Sequence, residues 1–123
     1  MPERSLSVLV VEDETAVAEV VARHLERRGH VVVKAPDAET AHKVLAERKF
    51  DCILLDNGLP GTMGITALPE IAAKTSAPII MITGYPNEDV VKDALLLGAK
   101  AFMAKPLDLA EVERRIVELA GGR

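Results

Sequence analysis

The segment Cys52-Ile53-Leu54-Leu55-Asp56-Asn57-Gly58-Leu59-Pro60-Gly61 runs through four apolar residues to an aspartate and then breaks into loop composition. Its first half is too short and too uniformly apolar for an amphipathic element, and it suits a strand covered on both faces, the usual state of a strand inside a parallel sheet. Asp56-Asn57-Gly58 could open a hairpin of the Asn-Gly type. Leu59-Pro60-Gly61 then stands where a return strand needs alternating residues, so the hairpin reading fails.

Working outward, four more apolar runs read as strands: Leu6 to Val11, His30 to Ala35, Pro78 to Thr83 and Ala101 to Ala104. Each of the five is followed by residues at helical spacing. Val17, Val20, Val21 and Leu25 form the first stripe, stopped by Gly29. Asp37 is a plausible N-cap for the second, with Ala38, Ala41, Val44 and Leu45 on one face. The third lies around Ile65 to Lys74 with Pro69 inside it, which argues against a regular first turn. Asn87 caps a fourth carrying Val90, Val91, Ala94, Leu95 and Leu97 up to Gly98. Asp108 with Glu111 resembles a capping box for a fifth, with Leu109, Val112, Ile116 and Leu119 inward. Strand and helix alternate throughout, which predicts an α/β fold: a (βα)5, doubly wound, parallel five-stranded sheet.

Composition narrows the function classes. A chain of 123 residues is the length of one domain, expected over 1–123 with its core over about 6–119. With 49% hydrophobic and 28% charged residues it is neither disordered nor fibrous. Only Phe50, Tyr85 and Phe102 are aromatic, so the base-stacking platforms of single-strand nucleic-acid binders are missing. A net charge of -4, with Arg27-Arg28 and Arg114-Arg115 as isolated basic pairs, argues against direct DNA binding. The single Cys52 has no disulfide partner and reads as a small buried hydrophobe. His24, His30 and His42 lack metal-ligand spacing and read as ordinary helix-face or strand residues. The amino terminus shows no leader pattern and no run is long enough to span a membrane, so the expected location is the cytoplasm, with no membrane partner.

In open parallel sheets ligands bind beyond the carboxyl ends of the strands. The first run ends in Glu12-Asp13-Glu14, the third in Asp56, the fourth in Thr83 and the fifth in Lys105-Pro106, whereas the second ends blandly at Ala35-Pro36. Each has a plain structural reading alone: acids favour a helix N-terminus, threonine suits a strand end, and a lone lysine is a solvated charge. Together they are a site, because carboxylates gathered at one sheet edge repel one another unless a cation compensates. Mg²⁺ takes oxygen ligands and leaves positions for water and phosphate oxygens. Such a site can bring a phosphoryl group to Asp56, with Thr83 and Lys105 meeting charge on the transferring oxygens and an acyl phosphate as product.

These residues, in this order and at these intervals, closely resemble the receiver domain of bacterial two-component response regulators, from Leu6 to Leu119. The resemblance rests on Glu12-Asp13, on Leu54-Leu55-Asp56 followed by Leu59-Pro60-Gly61, on Thr83-Gly84 and on Lys105-Pro106. It implies the flavodoxin-like strand order 2-1-3-4-5, which leaves the bland second strand at an edge. It implies that Asp56 is the phosphoacceptor, that Glu12, Asp13, Asp56 and the backbone carbonyl of Gly58 surround Mg²⁺, and that Thr83 and Lys105 contact the phosphoryl group. Its donor is a sensor histidine kinase or a histidine phosphotransfer protein. A cis Lys105-Pro106 bond and a switch in which Thr83 moves toward the phosphoryl group and Phe102 turns inward are implied as well. That switch alters the face of the fourth helix, fifth strand and fifth helix toward a downstream protein or effector domain. Homodimers through the fourth-helix face are common in the family. The chain is then no enzyme beyond phosphoryl transfer to and from its own Asp56.

Met63 stands where the family often has an acid, and Gly58 and Tyr85 stand where members tune phosphoryl lifetime, with Tyr85 expected to shield the group from water. Two other readings compete. A pseudo-receiver, a constitutive interaction module, keeps the fold without phosphorylation; intact Asp13, Asp56, Thr83 and Lys105 oppose it. An Mg²⁺-dependent aspartate phosphatase resembles the pattern less, because its two aspartates after the first strand are here Glu12 and Glu14, and no cap domain fits.

Overall fold

A computed structural model describes residues 5–59, 61, 63–84 and 87–121. The apolar runs become β1 (Ser7–Val11), β2 (Val31–Ala35), β3 (Cys52–Asp56), β4 (Ile79–Thr83) and β5 (Ala101–Ala104). All pair in parallel, in the order β2-β1-β3-β4-β5. The helices are α1 (Thr15–Arg27), α2 (Ala38–Glu47), α3 (Gly64–Lys74), α4 (Glu88–Leu97) and α5 (Leu109–Ile116), the last continuing into a π-helical turn, Val117–Gly121. This is the doubly wound, flavodoxin-like (βα)5 architecture. Among the described residues no helix is long and apolar enough to cross a membrane.

The period of two along each strand separates the interior into two cores. Leu9, Val11, Ile53, Leu55, Ile79 and Met81 pack toward α2, α3 and α4, where they meet Ala41, Leu68, Ile71 and Ala94. Val8, Val10, Cys52, Leu54, Ile80 and Ile82 pack the other way, against Val21 and Leu25 of α1 and Val112 and Ile116 of α5. Every residue of the central β3 and β4 is buried, while edge strand β2 exposes Val31 and Lys34. Burial pushes the Cys52 thiol up to about 12, so Cys52 is a packing residue rather than a reactive one.

The caps hold where short polar side chains precede a helix. Asp37 Oδ1 accepts the Thr40 N–H at 2.7 Å, Asn87 Oδ1 accepts that of Val90 at 2.9 Å, and Asp108 Oδ1 accepts those of Ala110 and Glu111 at 3.0 and 3.2 Å. The predicted capping box at Asp108 is only half made, because the Glu111 carboxylate pairs with Arg114 and Arg115 instead. α3 runs unbroken through Pro69. Proline there lacks the N–H that would reach the Ile65 carbonyl, but it sits on the exposed side while Ala67, Leu68 and Ile71 anchor the helix.

Two apolar stripes differ from expectation. Val20 is exposed, and α1 is instead held by Ala18, Val21, Ala22 and Leu25. On α4 only Ala94 is buried; Leu95, Leu96 and Leu97 are exposed, Leu96 at 78%. α4 rests on the edge strand β5 and on α3 through a narrow strip, so spacing alone overstates how much of it is covered.

At the pole opposite the strand carboxyl ends, His30 is buried. Its Nδ1 accepts the Leu6 N–H at 3.1 Å, and its Nε2 faces Glu113 Oε2 at 3.4 Å. Arg28 Nε meets the other Glu113 oxygen at 2.6 Å. The histidine is structural, as its spacing suggested, and it ties the start of β1 and β2 to α5.

Replacing Leu55, which is fully buried between β3 and α3, by alanine should cost about 2–5 kcal/mol of unfolding free energy. Leu96→Ala on α4 should change stability by less than about 0.5 kcal/mol. Urea titration of both variants checks this, and equal losses would contradict the assignment of α4 as largely uncovered.

Candidate functional site

Strand order puts the ends of β1, β3, β4 and β5 side by side, and the polar residues of the sequence meet there. Parallel register sets Asp56 beside Ile82 and Thr83 beside Ala104. Glu12, one residue beyond β1, donates its N–H to the Ala35 carbonyl at 2.9 Å, which extends the β1–β2 pairing. Lys105 follows β5 and donates its N–H to the Thr83 carbonyl at 2.8 Å, and its bond to Pro106 is cis. Glu12, Asp56 and Thr83 are all buried.

Carboxylate oxygens of Glu12, Asp13 and Asp56 lie within 4.8 Å of one another. The Lys105 ammonium enters this group: Nζ is 3.0 Å from Glu12 Oε1, 3.0 Å from Glu14 Oε1 and 3.3 Å from Asp56 Oδ1. The other Glu12 oxygen accepts the Glu14 N–H at 3.1 Å. Burial raises the Glu12 pKa and the Asp56 charge adds to the rise, against hydrogen bonds from Lys105 and the Glu14 N–H. Burial opposes the Lys105 charge, but hydrogen bonds to Glu12 and Glu14 and the charge of Asp56 outweigh it and raise its pKa. One ammonium against this many carboxylates leaves negative charge in excess, and an all-oxygen donor set of this kind fits a hard divalent cation.

An open cleft spans the site, lined by Asp13, Asp56, Gly58, Thr83 and Lys105 among others. The sequence-predicted residues Glu12, Asp13, Asp56, Gly58, Thr83 and Lys105 therefore converge. Phe102 does not line the cleft; it is half-buried and packs on the core beneath α2, α3 and α4. By the two-residue period it shares the sheet face of Met81 and Thr83, and it stands directly opposite Met81. Tyr85 and Pro60 lie outside the described residues.

Three residues have roles that the sequence reading did not assign them. Asn57 is buried, its N–H donates to the Ile82 carbonyl at 2.8 Å, and its Oδ1 accepts the Ile65 N–H at 2.8 Å, so it caps α3 from across the loop while Met63 makes no cap bond. The separation of eight residues gives no local capping signal. Gly64 donates its N–H to the Asn57 carbonyl at 3.0 Å, and a Cβ on it would fall 2.3 Å from the Asp56 carbonyl oxygen. Only glycine lets α3 begin directly against the Asp56 backbone. Glu14, expected to favour the positive end of α1, makes no side-chain cap bond and turns to Lys105 instead.

Comparison with known proteins agrees with this geometry. A family model described as the response regulator receiver domain matches residues 8–117. The chain is 36% identical over 113 residues to the phosphate regulon transcriptional regulatory protein PhoB of Pseudomonas aeruginosa, an alignment covering 89% of this chain and 49% of that protein. The solved receiver domain of the sensor histidine kinase PA1611 of Pseudomonas aeruginosa, with a magnesium ion coordinated in its active site cleft, matches at TM-score 0.85 and 28% identity, covering 97% of this chain and 100% of that one. A response regulator protein from Burkholderia pseudomallei, solved with a phosphorylated aspartic acid, calcium ion and citrate, matches at TM-score 0.83 and 27% identity, covering 95% of this chain and 75% of that one. The chain spans about half the length of the curated relatives it matches.

Gly64→Ala should lower unfolding stability by about 1–3 kcal/mol through overpacking against the Asp56 and Asn57 backbone. An unchanged urea midpoint would show that α3 can back away from β3 at no cost.

Proposed function

Because the chain belongs to the response regulator receiver domain family, we propose that it is a phosphorylation-dependent signalling switch whose acceptor is Asp56. The observation that carries this reading is the convergence of Glu12, Asp13 and Asp56 with the Lys105 ammonium at the carboxyl edge of the sheet. In this reading residues 1–123 work as one cytoplasmic receiver unit, and the phosphodonor is a sensor histidine kinase or a histidine phosphotransfer protein.

Glu12, Asp13, Asp56 and the Gly58 carbonyl hold Mg²⁺, which when bound supplies charge neutralisation and a template for phosphoryl oxygens. An Asp56 carboxylate oxygen attacks phosphorus, the P–N bond of the donor phosphohistidine breaks, and the leaving imidazole nitrogen keeps the bond's electron pair. Asp56 is left as an acyl phosphate. The Lys105 ammonium, already 3.3 Å from Asp56 Oδ1, moves onto a phosphoryl oxygen, and the Thr83 hydroxyl donates to another. Water later cleaves the acyl phosphate, releasing inorganic phosphate and restoring the carboxylate.

Thr83 and Phe102 lie on the same sheet face, on neighbouring strands. Movement of Thr83 toward the phosphoryl group vacates space on the side where Phe102 packs, and Phe102 turns inward to fill it. The surface of α4, β5 and α5 changes with it, and a downstream protein, an effector domain or a second copy of the chain reads that change. The exposed Leu95, Leu96 and Leu97 on α4 belong to this surface.

Intact mass after incubation with acetyl phosphate and Mg²⁺ should show gain of one phosphoryl group, abolished by Asp56→Asn and by chelating the metal. A gain that persists in Asp56→Asn would remove Asp56 as the acceptor. No gain, together with no Mg²⁺ or beryllofluoride binding, would favour the constitutive pseudo-receiver.

A further inference from the structure

Among the described residues the Lys105 ammonium has three carboxylate partners, and they are not equivalent. Glu12 and Asp56 belong to the group of oxygens placed to hold a cation; Glu14 does not. Glu12 and Asp56 are buried, whereas the Glu14 side chain is 62% exposed and stands outside the cluster on the solvent side. Glu14 is also unoccupied by the task its position would suggest, since it makes no side-chain bond to the start of α1. Its Oε1 nevertheless lies as close to Lys105 Nζ as that of Glu12, 3.0 Å in each case.

A divalent cation and an ammonium compete for the same carboxylate oxygens. When one arrives, the other is repelled and must be displaced or left uncompensated in a site where the lysine stem is largely enclosed. We propose that Glu14 is a positioning residue that holds the Lys105 ammonium as a divalent cation takes Glu12 and Asp56, keeping it paired and beside the site. The inference rests on the metal reading given above and deepens it. Glu14 lowers the cost of metal entry by stabilising the displaced lysine, without itself touching the metal.

The consequence is a coupling that depends on Lys105. Without Glu14 the ammonium is left to Glu12 and Asp56 alone, and the cation must displace it with no alternative anchor. A carboxylate at this position also attracts a cation directly through its charge, and the two effects separate only when the lysine is removed.

Isothermal titration calorimetry with Mg²⁺ on the folded chain tests this with Glu14→Gln, Lys105→Ala and the double variant, each checked for cooperative thermal unfolding. Glu14→Gln should weaken Mg²⁺ binding about three-fold, the scale of an exposed ion pair, and that loss should vanish in the Lys105→Ala background. An unchanged affinity in Glu14→Gln would overturn the proposal. So would an equal loss in both backgrounds, which would mean that the Glu14 charge acts on the ion directly. If the unaltered chain binds no Mg²⁺, the metal reading itself falls and the role of Glu14 falls with it. Lys105→Thr, which keeps a polar side chain there, serves in place of Lys105→Ala should the latter fail to fold.

Discussion

Like charge held at one sheet edge is the constraint on which the site depends. Strand order brings the ends of β1 and β3 together, and with them Glu12, Asp13 and Asp56. Carboxylates at this spacing repel one another, and Glu12 and Asp56 are buried and poorly solvated while Asp13 is exposed, so the arrangement is favoured by positive charge among them. In this structure Lys105, delivered by the end of β5, supplies it. The backbone around the cluster is correspondingly fixed: Glu12 is tied to Ala35, Asn57 to Ile82, and Lys105 to Thr83. In the proposed switch, charge concentrated on a rigid frame is what would let one added phosphoryl group act elsewhere.

The proposed switch needs a route out of the site, and the interior is divided into two cores that meet at the sheet. Thr83 and Phe102 stand on the face that packs against α3 and α4, while Cys52 and Leu54, four and two residues before Asp56, pack toward α1 and α5. Residues at or near the edge therefore pack against both layers. In the proposed switch, carrying a two-state element from 1:99 to 99:1 would require the phosphoryl group to favour one state by about 5.5 kcal/mol, the scale of a few charge-assisted hydrogen bonds. The thinly covered α4, with only Ala94 buried, has the fewest buried residues of the five helices.

The strands were legible in the sequence because burial on both faces leaves a simple trace. Cys52 to Asp56 and Ala101 to Ala104 keep the predicted bounds, and the others differ by one residue at their starts. Asp37, Asn87 and Asp108 were legible as caps because each lies within three residues of the N–H it accepts. The acidic ends of β1 and β3, Thr83 and Lys105 stood out because apolar runs stop there. What was hidden depends on distance in space. Asn57 reaches across a loop to α3, Gly64 is required by the approach of another segment's carbonyl, and Glu14 finds a lysine 91 residues away. The stripes on α1 and α4 misled at Val20, Leu95 and Leu97 for a related reason: periodicity identifies an apolar face but not how wide a surface it meets.

The central claim is that the buried aspartate at the end of β3 is the group that changes covalent state. Borohydride reduces an aspartyl acyl phosphate to homoserine, so the protein can be treated with acetyl phosphate and Mg²⁺, reduced, digested and sequenced by tandem mass spectrometry. The account predicts homoserine at position 56 and at no other acidic residue. Homoserine at position 13, or at any carboxylate other than 56, would contradict it.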